Sequence, residues 1–160
     1  MDIKIKTKDF IVDATMEIAD GVILVSPVAD VELREEKKGP ITERVKTYED
    51  ACKELGRQPY NEDQLMKLGL TKNDIAYQKM VVIVEALNEG WKPDVCDSDV
   101  CRWYPWFRPN GSPSSFAFDG SYCGYGGAVA GGRSRLALKS EELADYCGRQ
   151  FLQLWKEIIL

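Results

Sequence analysis

The chain predicts an α+β fold: an antiparallel sheet packed by a long central helix and a C-terminal helix, with an N-terminal β-hairpin. Three patterns carry this expectation. Residues 71–90 and 140–158 have helix start signals and apolar residues at helical spacing. Residues 1–33 alternate apolar and polar side chains around an Asp-Gly turn. Residues 103–138 hold short aromatic and aliphatic runs separated by Gly, Pro and Ser.

At the N-terminus Ile3 and Ile5 alternate with Lys4 and Lys6, and Met16 and Ile18 lead into Asp20-Gly21. That dipeptide matches a two-residue hairpin turn, and Val22–Val25 forms the return strand, closed by Pro27. Residues 34–40, REEKKGP, read as a charged turn and the best linker in the chain. Thr47 with Asp50 caps a short helix near 48–55 that Gly56 ends, and Asn61 caps another near 62–68 that Gly69 ends. Thr71 with Asp74 opens the long helix, 72–89, before Gly90, and Pro93 prevents its continuation. Ala76, Met80, Ile83 and Leu87 share one stripe, widened by Ile75, Val82 and Ala86, so the helix should be buried on most of its circumference. Residues 103–107, 116–118 and 134–138 read as three antiparallel strands, with Pro105 marking an edge or a bulge. Ser140 caps the last helix, 141–158, whose stripe is Leu143, Cys147, Phe151, Leu154 and Ile158.

A length of 160 residues fits one domain, 1–160, with an N-terminal β segment (1–33) and an α+β core (41–160). The N-terminus lacks the apolar region of a signal peptide, and no apolar run approaches the roughly 20 residues that span a bilayer. Five cysteines without an export signal read as reduced thiols in a cytoplasmic protein. The net charge of −5 argues against binding bulk duplex nucleic acid. Residues 102–139 nevertheless hold Arg102, Arg108, Arg133, Arg135 and Lys139 against Asp119 alone, a local net of +4. Such a patch can meet an anionic ligand, although surface arginines are more often solvated or paired.

No catalytic residue stands out. The chain has no histidine, so Ser-His and Cys-His nucleophile pairs are impossible, while its 26 acids leave a carboxylate pair open. Cys96, Cys101, Cys123 and Cys147 have the number of thiolates zinc needs but no C-x-x-C spacing, and no metal or other cofactor is expected. Gly127–Ser134 nearly matches a phosphate-binding loop. Arg133 replaces its lysine and a strand-like segment follows, so a hairpin loop is the better reading. Residues 41–101 hold 8 basic and 12 acidic side chains, which argues against a DNA-reading helix-turn-helix.

The strongest binding candidates are the aromatics Trp103, Tyr104, Trp106 and Phe107 with Arg108, Arg133 and Arg135. Aromatic strands beside arginines form stacking platforms for nucleotides, and equally form sheet cores and interface rims. Strict alternation puts Trp103 and Phe107 on one face.

Ile41-Thr42-Glu43-Arg44 through Leu55-Gly56, ALNEGWKPD at 86–94, the Tyr104–Phe107 run and SRLALKSEELADYCGRQF at 134–151 occur in that order. Together, over residues 41–160, they resemble an uncharacterised family of small proteins from gut anaerobic bacteria and their phages and mobile elements. The resemblance implies a phage or mobile-element setting and a cytosolic or virion location, and it carries no catalytic residue. The stretch 119–132 departs from the family's pattern, so no ligand role of that loop is transferred. The expected function is therefore a non-enzymatic phage or mobile-element binding protein that recognises a host protein or a nucleotide-like anion. A structural or assembly protein is the alternative, in which a homo-oligomer would form, and a carboxylate-based enzyme ranks last.

Overall fold

The computed structural model describes the backbone of residues 2–6, 10–19, 22–27 and 34–35, and residues 39–94, 97, 99–109, 111–125 and 134–160. The chain divides into two compact units, Met1–Gly39 and Pro40–Leu160. The division falls at the Gly-Pro of the stretch read as a linker.

In the first unit, β2 (Phe10–Ala19) is the common partner of β1 (Asp2–Lys6), β3 (Val22–Pro27) and β4 (Arg34–Glu35), all antiparallel to it. Ala19 pairs with Val22, the register a two-residue turn requires, while Asp20-Gly21 itself lies outside the described residues. These four strands form one antiparallel sheet. Arg34–Glu35, expected within the charged turn, is a strand on β2.

The second unit is α+β, as expected, and is built around α4. Its helices are α1 (Ile41–Arg44), α2 (Tyr48–Glu54), α3 (Glu62–Lys67), α4 (Lys72–Leu87), α5 (Glu141–Gln150) and α6 (Leu152–Ile159). The predicted caps form. Thr47 with Asp50 and Thr71 with Asp74 make reciprocal capping boxes, and the Asn61 side chain accepts from Gln64 N. Gly56 (φ 64°) and Gly69 (φ 91°) take the left-handed conformation that ends α2 and α3. The short helix α1 carries no cap or periodic signal in the sequence and had not been expected. It buries Ile41, and Val45 follows it into the core.

All seven residues of the α4 stripe are buried, and Val84 joins them. Met80, Ile83 and Leu87 pack with Val45, Leu138 and Cys147 as the largest enclosed side chains, and Cys147 Sγ lies 3.8 Å from Met80 Sδ. Cys52 and Cys147 are small core residues, as read from the sequence. Among the described residues no helix is long and apolar enough to cross a membrane.

The single C-terminal helix expected over 141–158 is two helices, broken at Phe151 (φ −108°, ψ 28°). The two halves pack on different surfaces. α5 lies on the strand pair β5 (Arg102–Arg108) and β6 (Ala117–Gly124), and α6 lies on α4. The Asn73 amide on α4 donates to the Glu157 and Ile158 carbonyls of α6, at 3.1 and 2.7 Å. After the break the buried stripe turns, so Trp155 is enclosed while Leu154 and Ile158 are half-buried. α5 comes so close to the strands that a Cβ on Gly148 would sit 2.3 Å from Phe118 Cδ2 and 2.9 Å from Pro105 Cβ.

The three-strand sheet expected over 103–138 is a two-stranded ladder. Residues 134–136 form a 3₁₀ turn, and the third strand reduces to one bridge. There Trp103 N donates to Leu138 O (3.0 Å) and Leu138 N to Trp103 O (2.9 Å). The buried Asn88, at the end of α4, supplies the remaining contacts of this segment. Its Nδ2 donates to Ala137 O (2.8 Å) and its Oδ1 accepts from Lys139 N (3.0 Å). Removing that amide strands the enclosed Ala137 carbonyl and the part-buried Lys139 N–H, so Asn88→Ala should lower unfolding free energy by about 1–3 kcal/mol in urea titration. Gly148→Ala should lower it by about 1–3 kcal/mol, because the clash is with ring atoms and a proline in a packed layer.

Glu89 holds a left-handed backbone (φ 49°), a conformation that disfavours a β-carbon. Its carboxylate bridges Lys139 (2.9 Å) and Arg44 (2.7 Å), and Arg44 also pairs with Glu54. The Lys139 ammonium, and then Arg44, hold the Glu89 carboxyl below its usual range, and Arg57 does the same for Glu85. Because these folded pKa values lie below the unfolded ones, the pairs stabilise the fold above about pH 4.3 and are lost as pH falls through the folded values. Glu89→Gln should therefore flatten the loss of stability between neutral and acid pH. The change should be under about 1 kcal/mol, since the carboxylate is partly solvated, and urea midpoints at a series of pH values measure it.

Candidate functional site

The β5–β6 ladder sorts the aromatic run by side-chain direction. Its register runs from Arg102↔Gly124 through Tyr104↔Tyr122 and Trp106↔Gly120 to Phe107↔Phe118, with a bulge that leaves Asp119 without a partner. Trp103, Pro105 and Phe107 face α5 and the core, and Arg102, Tyr104 and Trp106 face away, as alternation requires. The bulge makes the irregularity predicted around Pro105 a real one, one residue further along.

The inner face is structural. Phe107 stacks on Phe116 (5.0 Å between centroids) and lies 5.5 Å from Trp155 and 6.0 Å from Phe118. Trp103 is half-buried against the core and its backbone makes the bridge to Leu138. Of the predicted binding aromatics, Trp103 and Phe107 are thus packing residues.

The outer face is aromatic, and open at Trp106 and Tyr122. Trp106 is 59% exposed and stands opposite Gly120, which puts no side chain beside it. Tyr104 and Tyr122 form a cross-strand pair over Gly124, whose missing Cβ would lie 3.7 Å from each ring. Burial pushes the Tyr104 phenol up from its usual range, against the pull of the Arg102 guanidinium. Tyr122 (60% exposed) and Tyr125 (67%) extend the aromatic surface. Tyr122, Tyr125, Gly120 and Gly124 fall in a stretch read from sequence as a glycine-rich loop. Half of it is strand instead: β6 runs through Gly124, and residues 126–133 lie outside the described residues.

The arginines of β5 are already engaged by neighbouring groups. Arg102 is buried and donates to the Asp94 carbonyl (3.0 Å). Arg108 pairs with the bulged Asp119 (2.7 Å), and Lys139 with Glu89. Arg135 is exposed on the segment after the 3₁₀ turn begins, and Arg133 lies outside the described residues. Among the described basic residues of this stretch, Arg102, Arg108 and Lys139 thus each have a separate acceptor.

The reduced-thiol expectation is corrected for one pair. Cys101 and Cys123 are joined as a disulfide, with their Cα atoms 5.7 Å apart, at the open end of the hairpin. Cys96 lies outside the described residues. Among the described residues no three His, Cys, Asp or Glu side chains gather as a metal site.

A second concavity of about 240 Å³ lies between α3, α4 and α6, floored by Ile75 and Ala76. Lys72, Lys79, Glu62 and Glu157 line it in balanced charge, and Lys79 is engaged by Glu62 and by the Tyr48 ring, 5.3 Å away. The described carboxyls whose pKa clearly departs from the ordinary value (Asp50, Glu85, Glu89 and Glu142) are all lowered, opposite to what a proton-donating carboxylic acid needs.

The two faces should respond differently to truncation. Trp106→Ala should change stability by less than about 0.5 kcal/mol, whereas Phe107→Ala should cost about 3 kcal/mol; thermal and urea unfolding distinguish them. No protein-family model, curated protein or solved structure matches the chain.

Proposed function

We propose that the chain is a non-enzymatic binding protein of a phage or mobile element that recognises a host protein through the outward face of the β5–β6 hairpin. The observation that carries the reading is the contiguous set Tyr104, Trp106 and Tyr122 on one strand pair, with Trp106 and Tyr122 more than half exposed over glycines. Tyrosine and tryptophan on a rigid element supply large contact area at little cost in side-chain entropy, and they dominate the energetics of protein interfaces. The inner face of the same strands is fixed by Phe107, Phe116 and Trp155, so the outer rings are presented in one orientation. The nucleotide-like ligand has less support, because Arg102 and Arg108 are already engaged by Asp94 and Asp119. The phage or mobile-element setting, and a cytosolic or virion-associated location, rest on the resemblance of residues 41–160 and belong to the proposal.

The test compares the tagged wild type with Trp106→Ala/Tyr122→Ala after gentle purification from host extract, using native mass spectrometry. The wild type should carry one protein in fixed stoichiometry, and the double variant should bind it at least about 30-fold more weakly while unfolding at the same urea concentration. Equal retention by both forms, or no stoichiometric protein on the wild type, would rule this reading out.

A further inference from the structure

We infer that the Cys101–Cys123 disulfide is a redox-sensitive clasp on the inner side of the hairpin, behind the recognition face, holding the Tyr122 end of that face in place when closed and releasing that end when opened by a dithiol. The inference rests on the binding reading for its purpose, but not for its test.

Sulfur reactivity among the described residues is concentrated at this pair. Cys52 and Cys147 are buried, and burial pushes the Cys147 thiol up to about 12, so almost no thiolate forms there. Cys101 and Cys123 are half-buried and bonded to each other.

The two strands they join are anchored unequally. β5 keeps its place without the bond, because Arg102 donates to the Asp94 carbonyl and Trp103 makes both hydrogen bonds of the Leu138 bridge. In β6, the Ser121 hydroxyl donates to Asp145 of α5 at 2.7 Å. Beyond Ser121 the ladder to β5 and the disulfide hold the strand. Cys123 sits opposite Trp103, one step from Arg102↔Gly124, where the ladder ends. Strand ends held by few contacts open first. Tyr122 lies between Ser121 and Cys123, and Tyr125 follows the ladder's end. Opening the bond therefore frees two exposed aromatics and leaves Trp106 in place.

The chemistry is thiol–disulfide exchange. A thiolate of the dithiol attacks one Sγ, the Sγ–Sγ bond breaks, and the other cysteine leaves as thiolate. The second sulfur of the dithiol then displaces the first cysteine. Two electrons and two protons pass to the protein, giving two cysteine thiols, and the dithiol becomes a disulfide.

The experiment uses the full chain with dithiothreitol as the dithiol, and Cys101→Ser/Cys123→Ser as a form that cannot close. Native alkylation should label neither cysteine before reduction and both after it. Hydrogen exchange read by mass spectrometry should accelerate at least about tenfold over residues 121–125 and their ladder partners Arg102 and Tyr104 on reduction, and less than about twofold over 106–108 and α4. The double serine variant should match the reduced protein with or without dithiothreitol. Labelling of both cysteines before reduction, identical exchange in the two states, or loss of protection throughout α4 would each overturn the clasp. Failure to capture a partner, with this exchange pattern intact, would overturn the binding reading alone.

Discussion

The α+β unit hangs on one side chain. Asn88 ends the central helix, and its amide makes two hydrogen bonds to the backbone around Leu138, the residue that in turn bridges to Trp103. Core, crossing segment and strand pair are joined in sequence through these contacts. An amide suits this position because it donates and accepts at once, as an extended backbone neighbour would. Asn88 acts as a one-residue strand partner, and the segment opposite it needs no ladder of its own. This is why residues 136–138 can be enclosed with only a single bridge, the Ala137 carbonyl and the Leu138 backbone both being paired.

From that anchor the strand pair acquires two unlike surfaces. Period-two alternation sends Trp103, Pro105 and Phe107 into the layer covered by α5, where Gly148 allows close approach, and Phe107 on to Trp155 of α6. The same alternation sends Tyr104, Trp106 and Tyr122 outward. The break at Phe151 lets one C-terminal segment serve both needs, since α5 covers the strands and α6 returns along α4. A straight helix with a single stripe would have had to choose between these surfaces.

Signals confined to a few neighbouring residues were legible in the sequence. The capping boxes at Thr47 and Thr71, the stop glycines 56 and 69, the wide stripe of α4 and the Asp20-Gly21 register depend on local chemistry. The inward and outward sorting of Trp103 to Phe107 was legible for the same reason. What failed depends on tertiary partners. The Phe151 break follows from two packing surfaces, the missing third strand from Asn88, and the engagement of Arg102 and Arg108 from Asp94 and the bulged Asp119. The Cys101–Cys123 bond was hidden because cysteine spacing does not reveal pairing. Half of the aromatic face was concealed by composition, since Gly120-Ser121-Tyr122-Cys123-Gly124 looks like a loop until it is set against a strand.

Gly120 gives the hairpin an unusual evolutionary freedom. A side chain added there would meet no atom within 4 Å, and its backbone does not require glycine. Substitution would leave the packed layer beneath untouched while placing new chemistry directly beside the Trp106 ring. A single codon can thus recut the surface offered to the outside, with folding left as it is. Gly124 and Gly148 have no such latitude, because a side chain there would meet the Tyr104 and Tyr122 rings or Phe118 and Pro105.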